Sequence, residues 1–186
     1  MAAEGVVIVL LRAVNVAGSN KLPMASLREV LTEAGLKDVR TYIQSGNVIC
    51  KSKLSPAKVA SLVEETIASE FGLKVPTVAL STEELARAIN QWPVPQGAPA
   101  KALHCIVFEK NVEAQRIAQI DAAVAEAQTT GCEDFAEVMG RFIYLYTPDG
   151  IGTSKFARQI SSPKIGGTAR NWNTANTLLE MASNGS

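Results

Sequence analysis

The sequence predicts an α+β chain built from two related halves. Three observations carry that expectation. A strand, helix, hairpin, helix order runs through the chain twice, the helices have recognisable start and stop residues, and 47% of the residues are hydrophobic without any run long enough to span a membrane. At 186 residues the chain suits one large domain or two small halves sharing a core.

Val6 to Arg12 opens the first half with a continuous apolar run, the pattern of a strand buried on both faces. After a polar loop, Pro23 starts a helix whose Met24, Leu27, Val30, Leu31 and Ala34 share one face, with Gly35 at the stop position. Val39 to Cys50 reads as a hairpin around Ser45-Gly46-Asn47, where Asn47 is a candidate for a left-handed turn conformation and Gln44 precedes it. Ser55 and Pro56 start a second helix carrying Val59, Leu62, Val63, Thr66, Ile67 and Phe71 on its buried stripe, and Gly72 ends it. Val75 to Leu80 closes the half as a strand.

Ser81-Thr82-Glu83-Glu84 has the form of a capping box, opening a short helix to about Asn90, and Trp92 to Pro99 is a Pro-rich connection. Ala102 to Glu109 is the next strand, and Asn111 is expected to cap a helix bearing Ile117, Ile120 and Val124, followed by Gly131. Glu133 to Val138 and Arg141 to Thr147 form a second hairpin, and a helix starts near Thr153. The second half ends in a helix from about Thr168 to Ser183 in place of a closing strand. The expected division is 1–80, a connection over 81–100, and 101–186. The repeated pattern points to two ferredoxin-like (βαββαβ-related) halves packed together, with an extra C-terminal helix.

Charge and cysteines bound the function. Lys+Arg and Asp+Glu both number 18, which argues against coating nucleic acid through bulk basicity. The three cysteines, Cys50, Cys105 and Cys132, lack a Cys-x-x-Cys pairing and read as reduced thiols in a cytoplasmic protein. No metal or cofactor is expected. The single histidine, His104, alternates with strand residues and reads as a packed imidazole, since no triad partner accompanies it. No side chain stands out as a nucleophile or general base, so the sequence assigns no reaction.

Three loops of small residues carry a cation before or within the first turn of an expected helix. They are Ala17-Gly18-Ser19-Asn20-Lys21, Ile151-Gly152-Thr153-Ser154-Lys155 and Ile165-Gly166-Gly167-Thr168-Ala169-Arg170. A cation at a helix N-terminus is unfavourable by about 0.3–1 kcal/mol, so its recurrence suggests an anionic partner. Glycine amides, Ser/Thr hydroxyls and a Lys or Arg together form a phosphate cradle, although none of the loops has Walker A spacing. The plainer reading makes Thr153 and Thr168 helix caps and pairs the cations with internal acids. Arg12, Asn15, Asn20 and Lys21 form one polar cluster after the first strand. Lys155, Arg170, Asn171 and Asn173 form a second, in which Trp172 offers a stacking face but also fits a core stripe with Ala175, Leu179 and Ala182.

These segments resemble the signatures of a widespread bacterial family, the domain of unknown function 1697. The resemblance rests on Leu10-Leu11-Arg12-Ala13-Val14-Asn15-Val16-Ala17-Gly18-Ser19-Asn20-Lys21, on Val39-Arg40-Thr41-Tyr42-Ile43-Gln44-Ser45-Gly46-Asn47-Val48, on Gly150 to Lys155, and on Thr168 to Thr174. It spans nearly the whole chain and implies an α+β fold with two related halves and no established activity. The family pattern usually has Gly where this chain has Ala13 and Ala17, which restricts how closely the first loop can approach a ligand.

The residues thus suggest a protein that binds a nucleotide or phosphorylated small molecule through Arg12, Asn15, Asn20, Lys21, Lys155, Arg170, Asn171 and Asn173. A nucleic-acid-binding module, with Trp172 and Tyr42 stacking bases, is the alternative, and a structural or protein-interaction domain is the third.

Overall fold

The first apolar run becomes β1 (Gly5–Leu11) in a computed structural model that describes residues 4–16, 20–160 and 166–184. The chain then forms α1 (Met24–Glu33), β2 (Lys37–Tyr42), β3 (Asn47–Ser52), α2 (Pro56–Phe71) and β4 (Thr77–Ser81). These strands make one antiparallel sheet in the order β2-β3-β1-β4, the arrangement of a ferredoxin-like unit. Next come α3 (Thr82–Asn90), a 3-10 turn (Ala100–Ala102), β5 (Leu103–Val107), α4 (Ala114–Thr129), β6 (Phe135–Met139), β7 (Phe142–Tyr146), α5 (Lys155–Ile160), β8 (Thr168–Asn171) and α6 (Trp172–Ser183). The second sheet, β6-β7-β5-β8, repeats the first order. The fold is therefore two ferredoxin-like halves plus a C-terminal helix. Two compact units result, Met1–Arg87 with Thr177–Ser186, and Ala88–Asn176.

In the first unit, period-two alternation sends Val7, Val9 and Leu11 of β1 into a core with Leu27 and Leu31 of α1 and Val63 and Ile67 of α2. Each such side chain contributes about 1.5–3 kcal/mol when fully buried. Ile8 and Leu10, on the other face of β1, are buried too, as the unbroken apolar run predicts. Gly72 ends α2 in the left-handed conformation. Ser81 caps α3 by accepting the Glu84 N–H at 3.2 Å. The end of α6 joins this unit, where Arg40 of β2 donates to the Met181 carbonyl at 2.9 Å.

The second unit packs α4 and α5 against one face of its sheet through Ile106, Ile120, Ile143, Leu145, Phe156 and Ile160. Tyr144 is buried, donates its hydroxyl to the Ala88 carbonyl at 3.0 Å and lies 5.2 Å from the Trp92 ring. Trp172 meets Trp92 edge-on at 4.9 Å.

Several local expectations change. The segment from Thr168 is a closing strand, with Cys105 opposite Arg170 and Val107 opposite Thr168, and the helix starts only at Trp172. Thr168 is therefore no cap. That role falls to Asn171, whose Oδ1 accepts the Thr174 N–H at 2.8 Å. Ser154, not Thr153, caps α5 by accepting the Ala157 N–H at 2.7 Å. The residue preceding α4 is Glu113, not Asn111. Asn47 supplies no turn conformation either: it is fully buried and donates its amide to the Tyr42 carbonyl and the Ser45 hydroxyl, both at 3.1 Å, while Gly46 takes φ +79°.

Candidate functional site

The first polar cluster forms where β1 ends. The Arg12 N–H donates to the Pro76 carbonyl at 3.0 Å, leaving its side chain half-exposed. Asn15 braces the loop with both ends of its amide. Its Nδ2 donates to the Leu22 carbonyl at 2.9 Å and to the Gln44 carbonyl at 2.8 Å, and its Oδ1 accepts the Leu22 N–H at 2.9 Å. Asn20 closes the same loop, donating its amide to the Ala13 carbonyl at 3.1 Å while its own carbonyl accepts the Asn15 N–H at 3.1 Å. Two of the sequence signatures, the segment after β1 and the β2–β3 turn, are thereby tied together. Ala17, Gly18 and Ser19 lie outside the described residues.

Backbone strain concentrates here. Among the described residues, five non-glycines have positive φ, and Ala13 (52°), Asn15 (54°), Asn20 (48°) and Ile43 (48°) all belong to these two segments. For Ala13 this region costs about 1–2 kcal/mol, Asn15 and Asn20 tolerate it better, and the β-branched Ile43 is an outlier. Such strain persists only where surrounding contacts enforce it, and it gathers at functional sites. Gly46 is one enforcing contact. A Cβ there would lie 2.5 Å from Val14 Cγ2 and 2.7 Å from Leu11 Cβ. Beside the bonded pair Asn15 and Gln44 stand two aliphatic side chains that no sequence motif singles out, Val16 at 54% and Ile43 at 51% exposure. Lys21 is exposed, and among the described residues no carboxylate lies within ion-pair distance of it.

The second cluster is divided by the register of its sheet. Arg170 lies on β8 opposite Cys105, not at a helix N-terminus, and its Nη1 turns back to the Thr168 hydroxyl at 2.9 Å and the Ala169 carbonyl at 2.7 Å. Burial lowers its pKa to about 10, so the folded chain holds this cation against a desolvation cost. Asn171 is committed to capping α6, and Asn173 is exposed in that helix's first turn. Lys155 is exposed at the start of α5, next to Ser154, whose hydroxyl donates to Asp134 at 2.6 Å. Ser161 to Ile165 lie outside the described residues, so only part of the third small-residue loop is seen. Arg12, Asn15, Asn20 and Lys21 belong to the first unit, and Lys155, Arg170, Asn171 and Asn173 to the second.

Catalytic chemistry has few other candidates. His104 sits on the central strand β5, half-buried, with no hydrogen bond at Nδ1, and desolvation lowers its pKa below the ordinary 6.5. Burial pushes the Cys50 thiol up to about 12 and raises the Cys105 thiol further, so neither is a ready nucleophile. Cys132 is exposed. Among the described residues no three His, Cys, Asp or Glu side chains gather as a metal site, and no helix is long and apolar enough to cross a membrane.

The fold is that of a tandem ferredoxin-like protein, and the polar residues of its first unit brace the segment after β1 against the β2–β3 turn. The family model of a protein of unknown function, DUF1697, matches residues 5–136, and the chain belongs to that family. The fold is also similar to a solved structure of a conserved bacterial protein from Streptococcus pneumoniae, with a TM-score of 0.69 at 21% identity, covering 97% of this chain and 99% of that one. No curated protein matches the chain.

Proposed function

We propose that this protein binds an anionic small molecule in the cytoplasm, a nucleotide or another phosphorylated metabolite. The observation that carries the reading is the braced, strained loop pair of the first unit, whose segments carry Arg12 and Lys21 and the exposed aliphatic side chains Val16 and Ile43. Arg12 and Lys21 supply positive charge for a phosphate. Val16 and Ile43 flank the Asn15–Gln44 bridge and offer apolar surface for a base or sugar face. Asn15 and Asn20 act mainly by fixing the loop, since their amides are spent on backbone groups. In the second unit, Lys155 and the desolvated Arg170 supply charge, and Asn173 offers a free amide in the first turn of α6, with Asn171 holding that turn in place.

A small ligand is favoured over duplex nucleic acid because the chain's 18 basic and 18 acidic residues cancel. Salt dependence separates the two, since contacts to many phosphates predict a steep loss of affinity as salt rises. The test is a thermal-shift panel of mononucleotides, sugar phosphates and short oligonucleotides on the wild type, Arg12→Ala/Lys21→Ala and Lys155→Ala. A nucleotide at about 100 times its Kd stabilises by about 2.7 kcal/mol, and the variants should lose that gain. No stabilisation of the wild type by any anion overturns the reading.

A further inference from the structure

We propose that the outer edge of β6 is a docking site for an extended, basic polypeptide segment, which adds as a fifth strand to the β6-β7-β5-β8 sheet. The two equivalent edges differ. In the first unit, the β2 edge carries Lys37, Asp38 and Arg40 and is broken by a register shift between Lys37 and Arg40, with Asp38 at φ 48°. Charges and a bulge are the usual protection of an edge strand against further pairing. β6, Phe135-Ala136-Glu137-Val138-Met139, occupies the same place in its sheet with an unbroken register and one charge.

The geometry of the hairpin says which groups are free to pair. A two-residue connection, Gly140-Arg141, makes Met139 and Phe142 a hydrogen-bonded pair. Alternation along an antiparallel ladder then turns the N–H and C=O of Ala136 and Val138 outward, where only another extended backbone satisfies them in a row. Beside this edge runs a groove of about 370 Å³ between α4 and β6, bordered by Asp121, Val124, Gln128, Phe135 and Glu137. Its apolar members accept alternate side chains of an added strand. The charge of the surroundings selects the occupant. From 113 to 137 the sequence holds Glu113, Asp121, Glu126, Glu133, Asp134 and Glu137 against the single cation Arg116, in a chain whose 18 basic and 18 acidic residues balance overall. A second copy of β6 would bring like acidic surroundings together, whereas a segment alternating Lys or Arg with aliphatic residues complements both charge and groove.

The experiment uses the full chain and three fluorescein-labelled octapeptides, alternating Lys-Val, alternating Glu-Val and alternating Lys-Pro, read by fluorescence anisotropy. The Lys-Val peptide should bind saturably and protect the Ala136 and Val138 amides from hydrogen exchange, and the other two should not. Val138→Pro removes an outward donor without touching the β7 ladder and should weaken binding about tenfold or more. Glu137→Lys, which keeps the backbone intact, should lower affinity for Lys-Val and raise it for Glu-Val. Equal binding of Lys-Val and Lys-Pro, absence of Lys-Val binding, or concentration-dependent dimerisation blocked by Val138→Pro would each overturn the proposal.

Discussion

The two units share one strand order and spend their sequence differently. In the first, a sixteen-residue α2 and a ten-residue α1 cover the sheet with Leu, Val and Ile. In the second, α2's place is taken by the six-residue α5, and small residues such as Ala123, Ala127 and Ala136 line the core beneath α4. The first unit invests in a rigid loop pair beyond its core, with strained residues held by Asn15 and by the close approach of Gly46 to Leu11 and Val14. The second invests in aromatic contacts among the buried Trp92 and Tyr144 and the half-buried Trp172. A shared topology thus fixes where loops emerge, and local packing decides which of them are braced.

The hairpin glycines give the sharpest break of that comparison. Gly46→Ala meets both a left-handed φ and two close contacts, so a loss of about 4 kcal/mol is expected from strain and overpacking together. Gly140→Ala in the other hairpin has φ +61° but its nearest neighbour, Asn111 Oδ1, is 3.6 Å away, and about 1–2 kcal/mol is expected. Urea unfolding of both variants measures the difference. Equal losses would mean that the first turn is no more tightly packed than the second.

Asparagines come next. Asn15→Ala removes three hydrogen bonds and leaves an alanine at positive φ, a loss of about 3 kcal/mol, whereas Asn171→Ala forfeits one helix cap, about 1 kcal/mol. Amide exchange should show the loop opening in the first case and fraying of the first turn of α6 in the second.

Acid separates the units as well. His104, the chain's one histidine, stays neutral in the folded state to lower pH than in the unfolded chain. Its contribution is therefore fully present above about pH 6.5 and is lost as pH falls through the lowered folded value. Melting temperature should drop on acidification in the wild type by more than in His104→Gln. The smallest effect is expected at Ala13, which occupies φ 52° where the family pattern has glycine. Ala13→Gly relieves strain but loosens the unfolded chain, so a gain of about 1 kcal/mol or less is predicted by calorimetry.

Much of this architecture was legible in the residues. Ser55, Pro56 and Gly72 bracket α2 because caps act locally, and the unbroken apolar run of β1 announced burial on both faces. β8 was hidden, since Thr168-Ala169-Arg170-Asn171 is four residues long, has no alternation and runs directly into a helix. Its misreading carried Arg170 to a helix N-terminus it does not occupy. The candidate residues could be named one by one, but Asn15's role depends on the Leu22 and Gln44 carbonyls, which side-chain identity cannot reveal. Val16 and Ile43 were equally silent, because an aliphatic residue near a turn signals nothing until its exposure is known.

Titration of ¹⁵N-labelled protein with ADP tests the central claim most directly. Saturable amide shifts confined to residues 12–21 and 43–47, with a second set at 154–156 and 170–174, are the predicted result, and both should weaken when Lys21 and Lys155 are replaced by alanine. Shifts that fail to saturate, or that fall outside these segments, would contradict an anion site in the braced loops.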